Sequence, residues 1–146
     1  MQVKNIIISK QGEVSNNFKQ LLNLLKKKKV KILVVTAGDK VPIDKNCYFE
    51  ILFPQKQLIS SNVLNNNSIV AKFCMQNNKQ ISFSMLFTGD IEQIAENQMI
   101  ELYQTTKNLE ATVLKVAHHG SKTSSTKPWL ELVKPKIALI RSRRKQ

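Results

Sequence analysis

The sequence has little of several residue types that would define a protein class. Its 146 residues include only two cysteines, Cys47 and Cys74, so a disulfide scaffold is excluded and reduced thiols in apolar stretches are expected. No apolar run approaches the roughly 18 residues that a membrane span needs, and residues 1–5 lack the features of a secretory signal. We therefore expect a chain that is soluble and cytoplasmic when it is expressed alone.

Acidic residues are also scarce. The 23 Lys and Arg outnumber the 10 Asp and Glu, so the formal net charge is +13, which favours polyanionic partners such as nucleic acid, phosphate esters or anionic lipid. The Lys26 to Lys29 run and the Arg141 to Lys145 tail are more typical of solvated faces than of binding sites. Aromatic residues make up only 6%, so stacking platforms for single strands are not evident.

The first third of the sequence predicts a β-α-β unit. Val3 to Ile8 contains a β-branched run typical of a strand, and Lys31 to Val35 is a second short apolar strand. Between them, Ser15 is a good N-cap, and apolar residues then recur at helical spacing up to the lysine run. A β-α-β unit implies a parallel pair with a right-handed crossover.

The remaining sequence predicts further strands and two helices. Strands are expected near Tyr48 to Phe53, Ile69 to Cys74, Ile81 to Phe87, Thr112 to Val116 and Ile137 to Ile140. Turns are expected at Asn65-Asn66-Asn67 and at Asn77-Asn78, the second closing a hairpin. One helix would follow Asp90, with Gln93 in capping-box spacing, and carry the apolar stripe Ile91, Ile94, Ala95, Met99, Leu102 and Tyr103. The other would follow Ser124 and Ser125. The fold class is α/β with a mixed sheet, in a single domain over residues 1–146.

Chemistry-bearing residues follow two of these strands. The two histidines of the chain, His118 and His119, come just after one strand, and Asp90 comes just after another. Carboxyl ends of parallel strands meet at one edge, so these residues should lie together as a metal or phosphate site beside Gly120. Asp90 is equally typical of a helix N-cap. Hydroxyls that would line the same site are Ser121, Thr123, Ser124 and Ser125.

Three ordered motifs resemble one known family. They are Asn65-Asn66-Asn67-Ser68-Ile69-Val70, Phe87-Thr88-Gly89-Asp90, and the stretch from Leu114 through His118-His119-Gly120-Ser121 to Ser125. Together they look like consecutive motifs of the metallo-β-lactamase-fold domain of ComEC-type competence proteins, which serve DNA uptake. The resemblance is strongest from residue 65 to 140.

The resemblance implies a fold, an activity and a set of site residues. The family domain is a four-layer αββα sandwich attached to an integral membrane channel, and it implies a hydrolase, a nuclease that uses zinc or manganese on DNA or another phosphodiester. Asp90 would match a carboxylate that bridges two metal ions. Either His118 or His119 would match a ligand; we favour His119, with His118 as a catalytic residue facing the substrate phosphate. Residues near the phosphate would be Asn65, Asn66, Ser68, Ser121, Thr123 and Ser124, although a plain turn explains the first three equally well.

The sequence also departs from the family pattern. The family's His-x-His-x-Asp-His motif should precede Val3 and is absent, and two histidines cannot complete a catalytic metal site that keeps three protein ligands. Asp39, Asp44, Cys47 and Cys74 lie in other elements, and Asp39 suits a structural turn. We therefore expect the C-terminal half of the sandwich, a fragment that binds no metal by itself, is inactive alone, exposes an apolar sheet face and is marginally stable.

Two other hypotheses stay open at this point. A separate polypeptide, either the missing N-terminal half or the membrane channel, could dock on this chain and complete an enzyme in trans. Alternatively, the chain is a small basic module that binds nucleic acid through phosphate contacts without cutting it, in which case its affinity would fall steeply with salt.

Overall fold

The computed structural model describes residues 3–10 and 15–141. Its first part is the predicted β-α-β unit, made of β1 (Asn5–Ser9), α1 (Asn16–Lys27) and β2 (Lys31–Val35). The two strands pair in parallel, and the Ser15 hydroxyl accepts a hydrogen bond from the Phe18 amide at 3.2 Å. Both the parallel pair and the Ser15 cap are confirmed.

A short segment joins this unit to the rest of the chain. The Asp39 carboxylate accepts a hydrogen bond from the Thr36 amide at 2.8 Å, which confirms the structural use expected for Asp39. The amides of Ala37 and Gly38 donate to the carbonyls of Pro54 and Ile51 at 2.8 and 2.9 Å. Main-chain bonds therefore fix β2 against the strand that ends at residue 53.

The second part is a mixed sheet whose six strands, in the described part of the chain, lie side by side in sequence order. They are β3 (Lys40–Asp44), β4 (Cys47–Phe53), β5 (Val70–Asn77), β6 (Gln80–Phe87), β7 (Val113–Lys115) and β8 (Ile137–Leu139). The first four are antiparallel, and β6, β7 and β8 run parallel. The predicted hairpin joins β5 to β6, but its turn residues are Asn78 and Lys79, which both have the positive φ of a type I′ turn.

Three helices complete the described part of the fold: α2 (Val63–Asn66), α3 (Gln93–Tyr103) and α4 (Lys127–Val133). The turn predicted at Asn65 to Asn67 is present, since the Ser68 amide donates to the Asn65 carbonyl at 2.9 Å, and it ends the one-turn helix α2. The side chain of Asn67 stabilises that helix by accepting from the Ile59 amide at 2.9 Å and donating to the carbonyls of Ile59 and Val63, both at 2.8 Å.

The N-cap predicted at Asp90 is also wrong. Helix α3 begins at Gln93, so Glu92 holds the N-cap position, and its side chain makes no capping hydrogen bond. Within the predicted stripe, Ala95 and Met99 are fully buried, whereas Ile94 and Leu102 are exposed. The stripe is therefore narrower than predicted.

Most of the buried apolar surface lies where α3 and α4 pack on the six-stranded sheet. The buried residues of this cluster are Leu52, Phe53, Ile59, Val70, Leu86, Ile91, Ala95, Met99, Leu109, Ala111, Leu114, Ala117, Trp129 and Val133. A smaller cluster of Val35, Ile51 and Ala71 joins β2 to β4 and β5. The α/β class with a mixed sheet and flanking helices is confirmed.

Within residues 3–10 and 15–141, no helix is long and apolar enough to cross a membrane. The basic tail predicted at Arg141 to Lys145 lies outside the described residues beyond Arg141.

Candidate functional site

Three separate segments of the chain meet at the carboxyl ends of β6 and β7. The His118 amide donates to the Gly89 carbonyl at 3.1 Å, which ties the segment after β7 to the segment after β6. The Asp90 amide donates to the Ser68 hydroxyl at 3.2 Å, which adds the segment that precedes β5. The predicted meeting of Asp90 with the two histidines at one sheet edge is thus confirmed.

Gly89 allows the close approach of two of these segments. Its φ is +54°, and a Cβ atom at this position would lie 2.6 Å from the Ser68 Cβ. Real Cβ atoms do not come so close, and a positive φ disfavours other residues. A glycine is therefore required here for the backbone before Asp90 to pass Ser68.

The histidines lie in an unusual piece of backbone. Residues Ala117–Gly120 form a single turn in which His118 and His119 have φ values of 46° and 56°. The Ser121 amide closes this turn on the His118 carbonyl at 2.9 Å. Two successive left-handed residues are rare outside glycine, and such backbone conformations cluster at functional sites.

Each histidine contacts a different carboxylate. His119 Nε2 lies 3.7 Å from Asp90 Oδ1, and His118 Nδ1 lies 3.4 Å from Glu92 Oε1. The first pair is open to solvent, since the His119 and Asp90 side chains are 50% and 41% exposed. The second pair is more enclosed, and its Nδ1 atom is buried without a hydrogen bond of good geometry. The solvent-facing chemistry of this edge therefore belongs to Asp90 and His119.

Glu92 is a site residue that the sequence interpretation missed. Its carboxylate accepts hydrogen bonds from Asn62 Nδ2 at 2.8 Å and Thr123 Oγ1 at 3.3 Å. The bond from Asn62 contributes most to holding the pKa of Glu92 below its usual range, with smaller contributions from Asn65, Thr123 and His118. The sequence signal that could have indicated Glu92 as a site residue was its position two residues after Asp90.

The other predicted site residues fall into two groups. Ser121 and Thr123 are joined by a hydroxyl hydrogen bond of 3.0 Å at the exposed rim. Asn66 and Ser124 are buried and hold main chain: the Asn66 side chain accepts from the Glu92 amide at 3.1 Å, and the Ser124 hydroxyl donates to the Ile91 carbonyl at 2.8 Å.

A buried glutamate holds the segment that carries these hydroxyls. Glu96, on α3, is fully buried, and its carboxylate accepts hydrogen bonds from the Ser125 amide, the Thr126 amide at 2.9 Å and the Thr126 hydroxyl at 2.8 Å. These donors lie at the start of α4, where the helix dipole favours a negative charge. Glu96 therefore fixes the end of the 121–125 segment, and the sequence interpretation missed it.

The described residues do not by themselves fit a divalent metal ion. Asp90 and His119 offer one carboxylate and one imidazole, whereas even a minimal catalytic zinc site keeps three protein ligands. No group of three or more His, Cys, Asp or Glu in the described ranges could hold an ion. Cys47 and Cys74 are free thiols on β4 and β5, and burial raises the pKa of Cys74.

The chain is similar to two curated bacterial proteins. It is 31% identical over 139 residues to ComE operon protein 3 of Bacillus subtilis (strain 168), an alignment that covers 95% of this chain and 16% of that protein. A stretch of 80 residues is 42% identical to the uncharacterized protein YcaI of Escherichia coli (strain K12), covering 55% of this chain and 10% of that one.

No family model matches the sequence, and no solved structure matches it with significance. The chain spans 16% and 10% of the lengths of the two curated relatives, so it corresponds to a limited region of much longer proteins. It is similar to ComE operon protein 3 along almost the whole of its own length.

Proposed function

We propose that this chain acts in DNA uptake and contributes part of a metal-dependent phosphodiesterase site, without cleaving DNA alone. One observation carries the proposal: the segments at 65–68, 88–92 and 117–123 converge so that Asp90 and His119 face solvent side by side. The similarity to a protein of a competence operon supports the DNA-uptake context. The formal charge of +13 supports a polyanionic substrate.

Each residue of the edge has a distinct proposed role. Asp90 and His119 would supply two ligands of a zinc or manganese site, and a further polypeptide segment would have to supply the others, because two ligands are too few. His118 would face the substrate phosphate, with its Nδ1 atom 3.4 Å from Glu92 Oε1. The hydroxyls of Ser121 and Thr123 lie at the rim, where they can donate to phosphate oxygens.

The first experiment is to translate the DNA on both sides of this reading frame. The proposal expects a His-x-His-x-Asp-His motif and membrane spans upstream, either in frame or after a single frameshift. Unrelated flanking sequence would overturn the phosphodiesterase role in its intramolecular form. A companion protein that carries the motif and co-purifies with this chain would support the form assembled in trans.

The second experiment measures cleavage of an end-labelled oligonucleotide in the presence of Mn²⁺ or Zn²⁺. The chain alone should not cleave, and its complex with the segment carrying the missing ligands should. Asp90→Asn in that complex should abolish cleavage, whereas Asp44→Asn, at an exposed aspartate on β3, should preserve it. Cleavage that survives Asp90→Asn would reject the assignment.

A second candidate is a small basic module that binds nucleic acid without cutting it. The charge of +13 favours this function independently of the edge site. It predicts salt-dependent binding by the chain alone and no cleavage by any complex that contains it.

A further inference from the structure

A second polar feature lies at the opposite end of β7 from Asp90 and the histidines. A cavity of about 330 Å³ opens where the chain enters β7 and β8, beside the loop that follows α3. Four lysines and one glutamate line it: Lys72, Lys107, Glu110, Lys134 and Lys136. We call this feature the lysine groove. It shares no residue with the Asp90 edge.

Lys72 forms the inner wall of the lysine groove. It lies on β5, in the middle of the six-stranded sheet, and is only 5% exposed. Its ammonium group donates to the Asn108 carbonyl at 3.0 Å, which is a neutral acceptor. An ammonium group has three N–H donors, and buried charges are normally paired with a charge of opposite sign. A buried cation that lines a cavity therefore favours an anion in that cavity.

The carboxylate of Glu110 interacts with three of these lysines. Glu110 Oε1 lies 3.1 Å from Lys134 Nζ. The Lys134 hydrogen bond is the main cause that holds the pKa of Glu110 below its usual range, and Lys107 and Lys72 lower it further by their charges. The four lysines and the single glutamate give the groove a formal charge of +3, so one carboxylate does not neutralise it.

The size and lining of the groove limit its ligand. Ligand sites usually measure about 300–1,000 Å³, so a cavity of about 330 Å³ suits one phosphate-bearing unit of a strand. Its lining includes no aromatic side chain in the described part of the chain, so bases would not stack there. The groove is therefore suited to recognise charge and backbone.

We propose that the lysine groove binds the phosphodiester backbone of single-stranded nucleic acid, with Lys107 and Lys136 as the exposed phosphate contacts. The inference rests on the proposed function for the class of ligand, nucleic acid, but it concerns a different site. Lys72 and the Lys134–Glu110 pair would hold the walls of the groove. A strand bound here would lie at one end of β7, while Asp90 and His119 lie at the other.

The test is binding of a fluorescein-labelled dT20 strand to the full chain, measured by fluorescence anisotropy across a salt series. The groove variant is Lys107→Gln/Lys136→Gln, which changes two exposed side chains. The matched control is Lys19→Gln/Lys45→Gln, which removes the same charge from exposed lysines on α1 and in the β3–β4 turn. Circular dichroism melts show whether each variant keeps its fold.

The groove variant should weaken binding about tenfold at 50 mM salt and lower the slope of log Kd against log salt by about 1.4, or about 0.7 for each lost phosphate contact. The control should change affinity less than twofold. Equal losses in both variants, or no loss in the groove variant, would overturn the proposal.

The two proposals can fail separately. Asp90→Asn tests cleavage at the edge, whereas the groove variant tests binding at lysines that the edge does not share. A complex that cleaves DNA while the groove variant binds dT20 normally would reject the groove alone. A groove variant that loses binding, in a chain whose complexes never cleave, would reject the phosphodiesterase role alone.

Discussion

The first β-α-β unit and the six-stranded sheet with α3 and α4 differ in how much apolar surface they bury. In the first unit Leu25 and Val35 are buried, while Leu24 and Val34 are 49% and 62% exposed. In the second region a continuous cluster surrounds Trp129. Since burial of apolar surface is the main favourable term in folding, the second region should carry most of the stability and the first should open locally.

The largest expected effect tests this difference directly. Met99→Ala removes a fully buried side chain from the main cluster and should lower the free energy of unfolding by about 3–4 kcal/mol. Leu25→Ala should cost about half as much and should increase hydrogen exchange in β1, α1 and β2 alone. Urea unfolding and exchange mass spectrometry measure the two effects. Equal losses, with exchange raised throughout the chain by both variants, would break the comparison.

The next effect asks whether buried polar groups also hold the second region. Glu96→Gln replaces a carboxylate that faces three donors with an amide that can accept fewer of them, so unfolding should become easier by about 2 kcal/mol. Glu101→Gln, at an exposed position on the same helix, is the control and should change little. A loss no larger than that of the control would show that α4 needs no acceptor at its start.

A third effect concerns the edge site within the second region. Gly89→Ala should cost about 1–2 kcal/mol from the left-handed backbone, and more from the contact with Ser68. Ser68→Gly removes the atom that an added Cβ would meet, so it should recover the part due to that contact. A double-mutant cycle measured by urea unfolding gives the coupling between the two positions. Additive effects would contradict the close approach.

A smaller effect tests how the first unit is held. Ser15→Ala removes the cap of α1 and should lower stability by about 1 kcal/mol, with faster exchange confined to α1. Ser15→Asn can still accept a hydrogen bond from the helix amides and should restore most of the loss. An effect spread across the whole sheet would show that the two regions unfold together.

The smallest effect is the acid response of the edge site. The folded state holds the pKa of Glu92 below its usual range, so its contribution to stability is present above the unfolded pKa and is lost as pH falls below about 4. In Glu92→Gln, the urea concentration at the unfolding midpoint should therefore fall less between pH 6 and pH 3 than it does in the unchanged chain. Glu131→Gln, at an exposed position on α4, is the control. An unchanged acid response in Glu92→Gln would contradict this role.

Local signals in the sequence predicted much of the fold. The Ser15 cap, the parallel β1–β2 pair and the β5–β6 hairpin each depend on residues close in sequence, and all three are present. The turn at Asn65 to Asn67 was also predicted, but the sequence did not indicate that the Asn67 side chain bonds the main chain eight residues earlier, at Ile59. Composition alone does not reveal such a contact.

The candidate site was predicted only in part, because sequence patterns indicate the order of strands and helices but not the contacts between distant segments. The strand-helix-strand order was enough to predict that Asp90 and the histidines lie at one edge of the sheet. Glu92 was missed because its partners come from two distant segments, one with Asn62 before α2 and one with His118 and Thr123 after β7. The left-handed turn at the histidines was missed because tertiary contacts, such as the bond to the Gly89 carbonyl, stabilise it against local preference.

The segment from Thr36 to Asp39 has a consequence for how this fold can diverge over evolutionary time. The bonds that tie the first unit to β4 run mainly between main-chain atoms: Ala37 to Pro54, Gly38 to Ile51, and Ile51 back to Asp39. Every amino acid has the same main-chain hydrogen-bonding groups, except that proline lacks the N–H. We therefore expect that most side chains of this segment can change while the orientation of the two regions stays the same.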